Sequence, residues 1–489
     1  MDNLPDKLSV IVVGASGDLA HKKIYPALFA LYCQGYLPDD FNVFGFSRST
    51  FTHDAFRESI MQHLTCRYVP GESCADRMNE FLSRCFYQQG SYDSPDSFLD
   101  LFQLMHERES VRDMNRLFYL AIPPSVFLDV ARSIGDAGLV QCTRREPWSR
   151  VVIEKPFGHD RGSSDDLTEK LGHVFSENQT YRIDHYLGKE MIQNLLVLRF
   201  ANLVFEPIWN REHIRNVQIV WKEDLSVEGR GGYFDDYGIV RDVMQNHLLQ
   251  MLSLVAMEHP AGLGAHAIRD AKVDVLKHIP PVERDHIAVG QYTAGEHKGR
   301  TQGGYTDDKT VPDDSRTPTL GAAVIHIDND RWREVPFLVL AGKGMDNRLT
   351  EIRIRFNEVP ANMFCKQGAC PEPNELVIRV QPDEAVSFTV NNKVPGLGMK
   401  LDTRHLDLTY KAAFAEEIPD AYESLLLDVM RGEKSLFIRS DELAAAWDVF
   451  TPILRQLDDE RIVPEPYAFG TKGPPSVHKL AEDHNVKWI

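Results

Sequence analysis

Three stretches of this chain concentrate polar side chains where apolar segments begin or end. The first is Gly14-Ala15-Ser16-Gly17-Asp18-Leu19-Ala20-His21, directly after the β-branched run LSVIVV at 8–13. Glycines at a strand-to-helix junction permit a tight turn and let backbone N–H groups approach a pyrophosphate. The helix N-terminus adds a field that favours the anion. The spacing is G-x-x-G rather than the full G-x-G-x-x-G, so an ordinary turn without a ligand stays open as the alternative. A second apolar run, NVFGFS at 42–47, ends at Ser47-Arg48. An NAD site would carry an acidic residue there for the ribose 2′-hydroxyl. A planar, permanently charged guanidinium instead suits the 2′-phosphate of NADP, with a solvated surface arginine as the plainer alternative.

The second stretch is RVVIEKPFG at 150–158, and the third is YRIDHYLGKE at 181–190. In a doubly wound sheet ligands sit beyond the carboxyl ends of the strands, so Lys155 faces the crevice, where its ammonium can meet a substrate oxygen and the cofactor. Placed on one helical face, His185 and Lys189 form a cationic notch, and with the Tyr186 hydroxyl it can hold a phosphate dianion. A helix start capped by Asp184 is the blander alternative. Further on, RDVMQNHLLQ at 241–250 places His247 in an otherwise apolar helix. A lone histidine there is more often a satisfied core residue. Here Asp242 and Gln245 keep it company just after a Gly-rich stretch at 229–236, which favours a general base for a hydroxyl proton. Such a base needs a carboxylate to fix its tautomer, and Asp184 can supply one. No H-E-x-x-H or C-x2-C pattern occurs, so no metal site is expected.

The elements that must position these groups change character part-way along the chain. Strands at 8–13, 42–47, 116–124 and 150–158 alternate with helices at 24–35, 52–64, 76–87, 96–112 and 125–138, the rhythm of a doubly wound parallel sheet. Pro26 sits early in its helix and either belongs to the first turn or breaks a short opening helix from the main one. Beyond about residue 185, helices at 189–201 and 243–257 are followed by strands at 217–223, 322–328, 337–342, 351–357, 376–382, 385–390 and 405–410, many alternating apolar and polar. Helices return at 420–431 and 441–457, and the polar, Gly-, Thr- and Asp-rich stretch 294–319 reads as a mobile loop. The fold class expected is α/β plus α+β. A Rossmann-like domain over 1–184 precedes a larger α+β domain over 185–489 with a mostly antiparallel sheet, which serves substrate binding and oligomerisation.

Composition narrows the partners. Among 489 residues, 54 are Lys or Arg and 72 are Asp or Glu, so the formal charge of −18 disfavours a nucleic-acid or anionic-membrane partner. No run of roughly 18 apolar residues suggests a membrane-spanning helix. The N-terminus has neither a basic region nor a cleavage pattern, so cytoplasm is the expected compartment. The cysteines are Cys33, Cys66, Cys74, Cys85, Cys142, Cys365 and Cys370. An odd, sparse set suggests reduced thiols, while the close pair Cys66 and Cys74 leaves a redox role open.

GASGDLA, EKPFG, RIDHYLGKE and RDVMQNHLLQ, in this order and at these intervals, resemble the glucose-6-phosphate dehydrogenase family from Val10 to about Trp488. RIDHYLGKE is the most specific of the four. The resemblance implies oxidation of C1 of D-glucose 6-phosphate to the 1,5-lactone, with hydride transfer to NADP+. It assigns proton removal to His247, oriented by Asp184. Lys155 bridges substrate and nicotinamide, His185, Tyr186 and Lys189 receive the 6-phosphate, and Glu223 and Asp242 hold sugar hydroxyls. Lys343 and Arg348, with Gln381, close the pocket. The cofactor lies over Gly14 to His21 and Arg48, and Phe127 stands where a tyrosine is common. The resemblance further implies a dimer or tetramer. Of the contacts that hold a second, non-catalytic NADP+ in some members, Arg353, Arg379 and Asp407 remain, while Leu340, Leu349 and Lys472 depart from the pattern.

Overall fold

The computed structural model describes residues 4–488, apart from 70, 72, 111–112, 141–146, 228, 368–369 and 487. Two compact units emerge: Met1–Gly188 with Gly262–Arg269 and Pro419–Leu443, and Lys189–Ala261 with Asp270–Ile418 and Ala444–Ile489.

The first unit is built on a parallel sheet. Its strands are β1 (Lys7–Val13), β2 (Asp40–Ser47), β3 (Cys85–Gln89), β4 (Asn115–Leu120), β5 (Ser149–Ile153) and β6 (Thr180–Ile183). They lie in the order β6-β5-β4-β1-β2-β3, with the short strand Phe437–Ile438 antiparallel on β6. Six of the seven β1 residues and all six of β4 are buried, which explains the unbroken apolar runs: helices cover both faces. Chain order reverses between β1 and β4, so the loops after these two strands diverge and leave a crevice at their carboxyl ends.

One expectation for this unit changes. The helix expected over 76–87 stops at Ser83, and Cys85–Gln89 instead pairs in parallel with β2. Its Cys-Phe-Tyr start suits a pleated edge, and only the neighbouring strand decides between the two states. The helix around Pro26 has that proline in its first turn, as the first of the two readings had it. It runs on from a wide turn at Ala20–Ile24 into Tyr25–Cys33, a local widening next to a residue that lacks an N–H.

The second unit carries a nine-stranded sheet. Its order is Leu401–Thr409, Ala385–Lys393, Glu375–Gln381, Leu349–Phe356, Ile214–Lys222, Phe337–Gly342, Leu320–Ile325, Ile287–Thr293, Glu465–Ala468. Only the pairs of Phe337–Gly342 with Ile214–Lys222 and of Glu465–Ala468 with Ile287–Thr293 are parallel. A helical segment, wide-turned over Val240–Leu248 and α-helical over Leu249–Ala256, packs on this sheet. Gly321 admits it closely, since a Cβ there would sit 2.7 Å from the Met244 sulfur. The stretch 294–319 is not the open loop expected. It forms the hairpin Gly295–His297/Arg300–Gln302, and Tyr305 is fully buried with its hydroxyl donating to Asp235 at 2.8 Å. One buried aromatic outweighs the polar composition around it.

The expectation of reduced thiols fails for four cysteines. Cys66 is bonded to Cys74, and Cys365 to Cys370, with Cα separations of 5.9 Å and 4.1 Å. Close spacing in sequence places each pair within bridging reach. Cys33 and Cys85 are free, and Cys142 lies outside the described residues. Burial pushes the Cys85 thiol up to about 12. Alkylation of the native, unreduced protein should therefore spare Cys66, Cys74, Cys365, Cys370 and Cys85 while Cys33 reacts slowly. Peptide mass mapping reads the pattern, and rapid labelling of Cys66 or Cys74 would contradict the bond.

Candidate active site

In the first unit the glycine turn is fixed by a close approach of backbones. Gly14 has φ +91°, and a Cβ on it would lie 2.2 Å from the Ala121 carbonyl oxygen just past β4, so no other residue fits without displacing that strand end. The N–H groups of Gly14 and Ala15 both donate to the Phe46 carbonyl, at 2.8 and 3.2 Å. These donors thus hold the turn onto the end of β2. Side chains follow the same geometry: the hydroxyls of Ser47 and Ser49 lie 3.1 and 2.9 Å from that of Ser16. Arg48 between them is exposed, its guanidinium 5.3 Å from the centre of the Tyr92 ring. The donor set at the end of β2 is therefore three hydroxyls and one cation with no carboxylate among them, which fits a phosphorylated ribose. Asp18 is paired with Lys22 at 2.9 Å on the surface. His21 lies half-buried beside His63, and burial, then that second imidazole, lowers its pKa. Leu19 is partly covered, whereas Ala20 and Phe127 are fully buried. Phe127 is a core residue at a helix start.

Glu154 and Lys155 follow β5, with Glu154 buried and Lys155 half-buried. Past β6, Asp184 is 1% exposed, and its Oδ1 accepts the Tyr186 N–H at 2.9 Å. The residues after it do not start a helix, as the notch and cap readings both required. Leu187 N–H donates to the Asp184 carbonyl at 3.0 Å and Gly188 N–H to that of His185 at 3.2 Å, so two successive turns occupy 184–188 and the helix begins only at Glu190. With no helix following directly, the Asp184 bond closes a turn and has no helix N-terminus to cap. Tyr186 is buried, and the half-buried His185 ring lies parallel to that of Tyr422, at 6.2 Å and 11°.

In the second unit Lys189 donates to Gln381 Oε1 at 2.7 Å, joining the segment before the helix Glu190–Phe200 to the end of the strand Glu375–Gln381. Lys343 pairs with Glu223 at 2.7 Å, its ammonium 5.4 Å from the ring centres of both Trp221 and Phe234. Arg348, six residues past the end of the strand Phe337–Gly342 and one before the next, is exposed. Asp242 and His247 share the wide-turned segment; Asp242 is half-buried and His247 only 2% exposed, amid Gln245, Asn246 and Gln250, which are buried too. The structure thus joins Lys189 with Gln381 and Glu223 with Lys343, and leaves Arg348 outside both pairs.

Sequence reasoning missed the pair of Lys222 and Asp346, 3.2 Å apart with the lysine 4% exposed. It also gave no role to Glu154, whose carboxyl accepts the Tyr119 hydroxyl. An acid at the end of the apolar run VVI was the available signal for Glu154. For Lys222–Asp346 the partners lie 124 residues apart and the sequence held none. The retained arginines of the second cofactor pattern are already engaged. Arg353 bonds Glu351 and Glu375, Arg379 lies 3.6 Å from Glu351, and Leu340 is buried within its strand.

With these halves in view, comparison with known proteins decides the family. Residues 11–194 match the model of the glucose-6-phosphate dehydrogenase NAD binding domain, and residues 196–489 that of its C-terminal domain. The chain belongs to the glucose-6-phosphate dehydrogenase family. It is 53% identical to the chloroplastic glucose-6-phosphate 1-dehydrogenase 1 of Arabidopsis thaliana, over 98% of this chain and 83% of that one. It is 45% identical to the cytoplasmic isoform of Solanum tuberosum, over 100% and 95%. A solved structure of glucose-6-phosphate dehydrogenase in complex with glucose 6-phosphate is 42% identical with a TM-score of 0.92, covering 100% of this chain and 99% of the other. The family frame accords with the Rossmann-like first sheet and the larger, sheet-rich second unit. Among the described residues no helix is long and apolar enough to cross a membrane.

Proposed function

We infer that the chain carries out its family's reaction, with the following division of labour among its residues. It oxidises C1 of D-glucose 6-phosphate to 6-phospho-D-glucono-1,5-lactone with NADP+, the opening step of the oxidative pentose phosphate pathway. The observation that carries this reading is the end-to-end likeness to the family through both units. NADP+, when bound, supplies the hydride acceptor. Everything else falls to the protein.

Removing hydride from C1 builds positive character on that carbon, so taking the hydroxyl proton in the same event lowers the barrier. His247 is assigned that proton, and Asp184 the task of orienting and stabilising its imidazole. Burial of both keeps bulk water from the transfer. Lys155 meets the substrate and the cofactor. His185, Tyr186 and Lys189 receive the 6-phosphate, and Lys189 exchanges the Gln381 oxygen for a phosphate oxygen. Glu223 and Asp242 hold the sugar hydroxyls, and Lys343 and Arg348, with Gln381, close the pocket. Anchoring the phosphate far from C1 provides binding energy that positions the reacting carbon. The turn Gly14–His21 and Arg48 take the adenosine end of NADP+, and Phe127 supports that side from the core.

Self-association is assigned to the open edge of the large sheet. Leu406 is 62% exposed and Leu408 44% on the outer strand Leu401–Thr409, whereas most residues of Leu349–Phe356 and Glu375–Gln381 are buried. The compartment proposed is the cytoplasm, and cell fractionation against a chloroplast marker decides it.

Purified protein with glucose 6-phosphate and NADP+ should give rising absorbance at 340 nm, faster than with NAD+; no rise would refute the function. His247→Asn should lower kcat by about 10²–10⁴-fold with little change in KM, the range of a lost general base. Near-normal turnover would reassign the proton. Arg48→Ala should raise KM for NADP+ by about 10-fold or more, the loss of charge-assisted bonds, and leave KM for NAD+ nearly unchanged. Equal effects on both cofactors would remove Arg48 from the 2′-phosphate. Sedimentation velocity should show a dimer or larger that Leu406→Glu dissociates; an unchanged assembly would move the interface elsewhere.

A further inference from the structure

Glu154 directly follows β5, the acidic end of an apolar buried run, and the reaction as described leaves it without a task. Its carboxyl is enclosed by the first unit. The hydroxyl of Tyr119, near the end of β4, donates to Oε1, and the hydroxyl of Tyr422 also faces the group. Tyr422 stands in the first turn of the helix Ala421–Arg431, and its position is heavily constrained. Asp420 caps that helix by accepting the Tyr422 N–H at 3.0 Å, and Lys23 holds Asp420 at 2.8 Å. On the other flank Glu423 accepts from Arg67 at 2.9 Å and from Tyr68 at 2.8 Å. The ring so fixed is the one that lies parallel to His185.

We propose that Glu154 is a positioning residue: its carboxylate anchors Tyr422 under His185 and sets the local charge beside Lys155, keeping the contacts of both residues to the sugar phosphate in place. The proposal rests on the assignment of His185 and Lys155 to that substrate. Its chemical logic is one of donors and acceptors. An ionised carboxylate accepts from both tyrosine hydroxyls at once, whereas a protonated one must itself donate and gives up part of that arrangement. The charged and titratable groups that bear on it are Tyr119 and Tyr422 as donors, Lys155 as the neighbouring cation and Asp184 as a neighbouring acid. Burial pushes its pKa up to about 7, the tyrosine bonds and then Lys155 opposing the rise and Asp184 adding to it. The group therefore changes charge in the range where the enzyme is assayed.

A steady-state comparison of wild type, Glu154→Gln and Tyr422→Phe at pH 6 and pH 8 tests this. At pH 8 the wild-type carboxylate is ionised, and Glu154→Gln should raise KM for glucose 6-phosphate about fivefold or more, with kcat within about twofold, as expected for a lost charged hydrogen-bond acceptor. At pH 6, where the wild-type group is protonated, the two enzymes should converge. Tyr422→Phe keeps the ring and removes the hydroxyl, so it should show a smaller KM rise with the same pH pattern, and it carries the test if Glu154→Gln does not fold. An unchanged KM at pH 8, or an equal rise at both pH values, would overturn the proposal, the second pointing to a merely structural role. NMR of labelled histidine without substrate separates this outcome from failure of the functional reading. The His185 ring lies parallel to that of Tyr422, so its resonances should shift in Glu154→Gln as that ring loses its anchor, and unmoved resonances would overturn the proposal even if the chain proved inactive on glucose 6-phosphate. Stability gives the folding check with a definite sign. The carboxyl pKa is raised from 4.5 to about 7, so its stabilising contribution is present below pH 4.5 and lost as pH climbs through about 7. Glu154→Gln should flatten that slope.

Discussion

A charge removed from water must find a partner inside the protein, and this requirement organises the polar groups of both units. Glu154 is met by Tyr119 and Tyr422, Lys222 by Asp346, Lys343 by Glu223 and Lys189 by Gln381. Each pair ties the end of one element to another. These pairings therefore also define where the strand ends and helix starts lie. A sugar phosphate needs several cations and acceptors close together in a place that excludes water, and a lone set of such groups could not stay folded there.

The pairs differ in how readily they exchange. Lys189 holds a neutral amide oxygen, and a phosphate oxygen in its place would set a full negative charge against the ammonium. Lys343 faces a full carboxylate and two aromatic rings, so it gains less from a ligand and serves better as a fixed wall. Lys222, almost wholly buried against Asp346, is a structural cation of the sheet end. Rank by partner thus separates the lysine suited to binding from those suited to shape, a distinction that residue type alone does not make.

The legible parts of the chain were those whose information is local. Continuous apolar runs announced β1, β2 and β4, and the alternating strands beyond 200 announced an antiparallel sheet, because burial on two faces or on one leaves opposite patterns. The Gly14 turn and the absence of an acid at Arg48 were equally local. What escaped was decided by neighbours distant in sequence. Cys85–Gln89 became a strand because β2 offered an edge, Tyr305 pinned a polar stretch to Asp235, and Asp184 spent its oxygen on the Tyr186 N–H, closing a turn where a cap had looked natural. The role of Tyr422 was out of reach for the same reason: its carboxyl partner sits 268 positions earlier, and nothing in AYESLLLDVM marks it.

The helix Ala421–Arg431 shows how such distant information becomes local rigidity. Its apolar face, with Leu425, Leu426 and Val429 fully buried, secures the helix body but says little about its first turn, where helices fray. That turn is instead held residue by residue: Asp420 by Lys23, Tyr422 by the Glu154 carboxyl and Glu423 by Arg67 and Tyr68. Arg67 and Tyr68 themselves follow Cys66, whose bond to Cys74 closes the segment that carries them. A turn with so many independent anchors has few other positions open to it, so the ring of Tyr422 can define a place for His185 without support from the helix core.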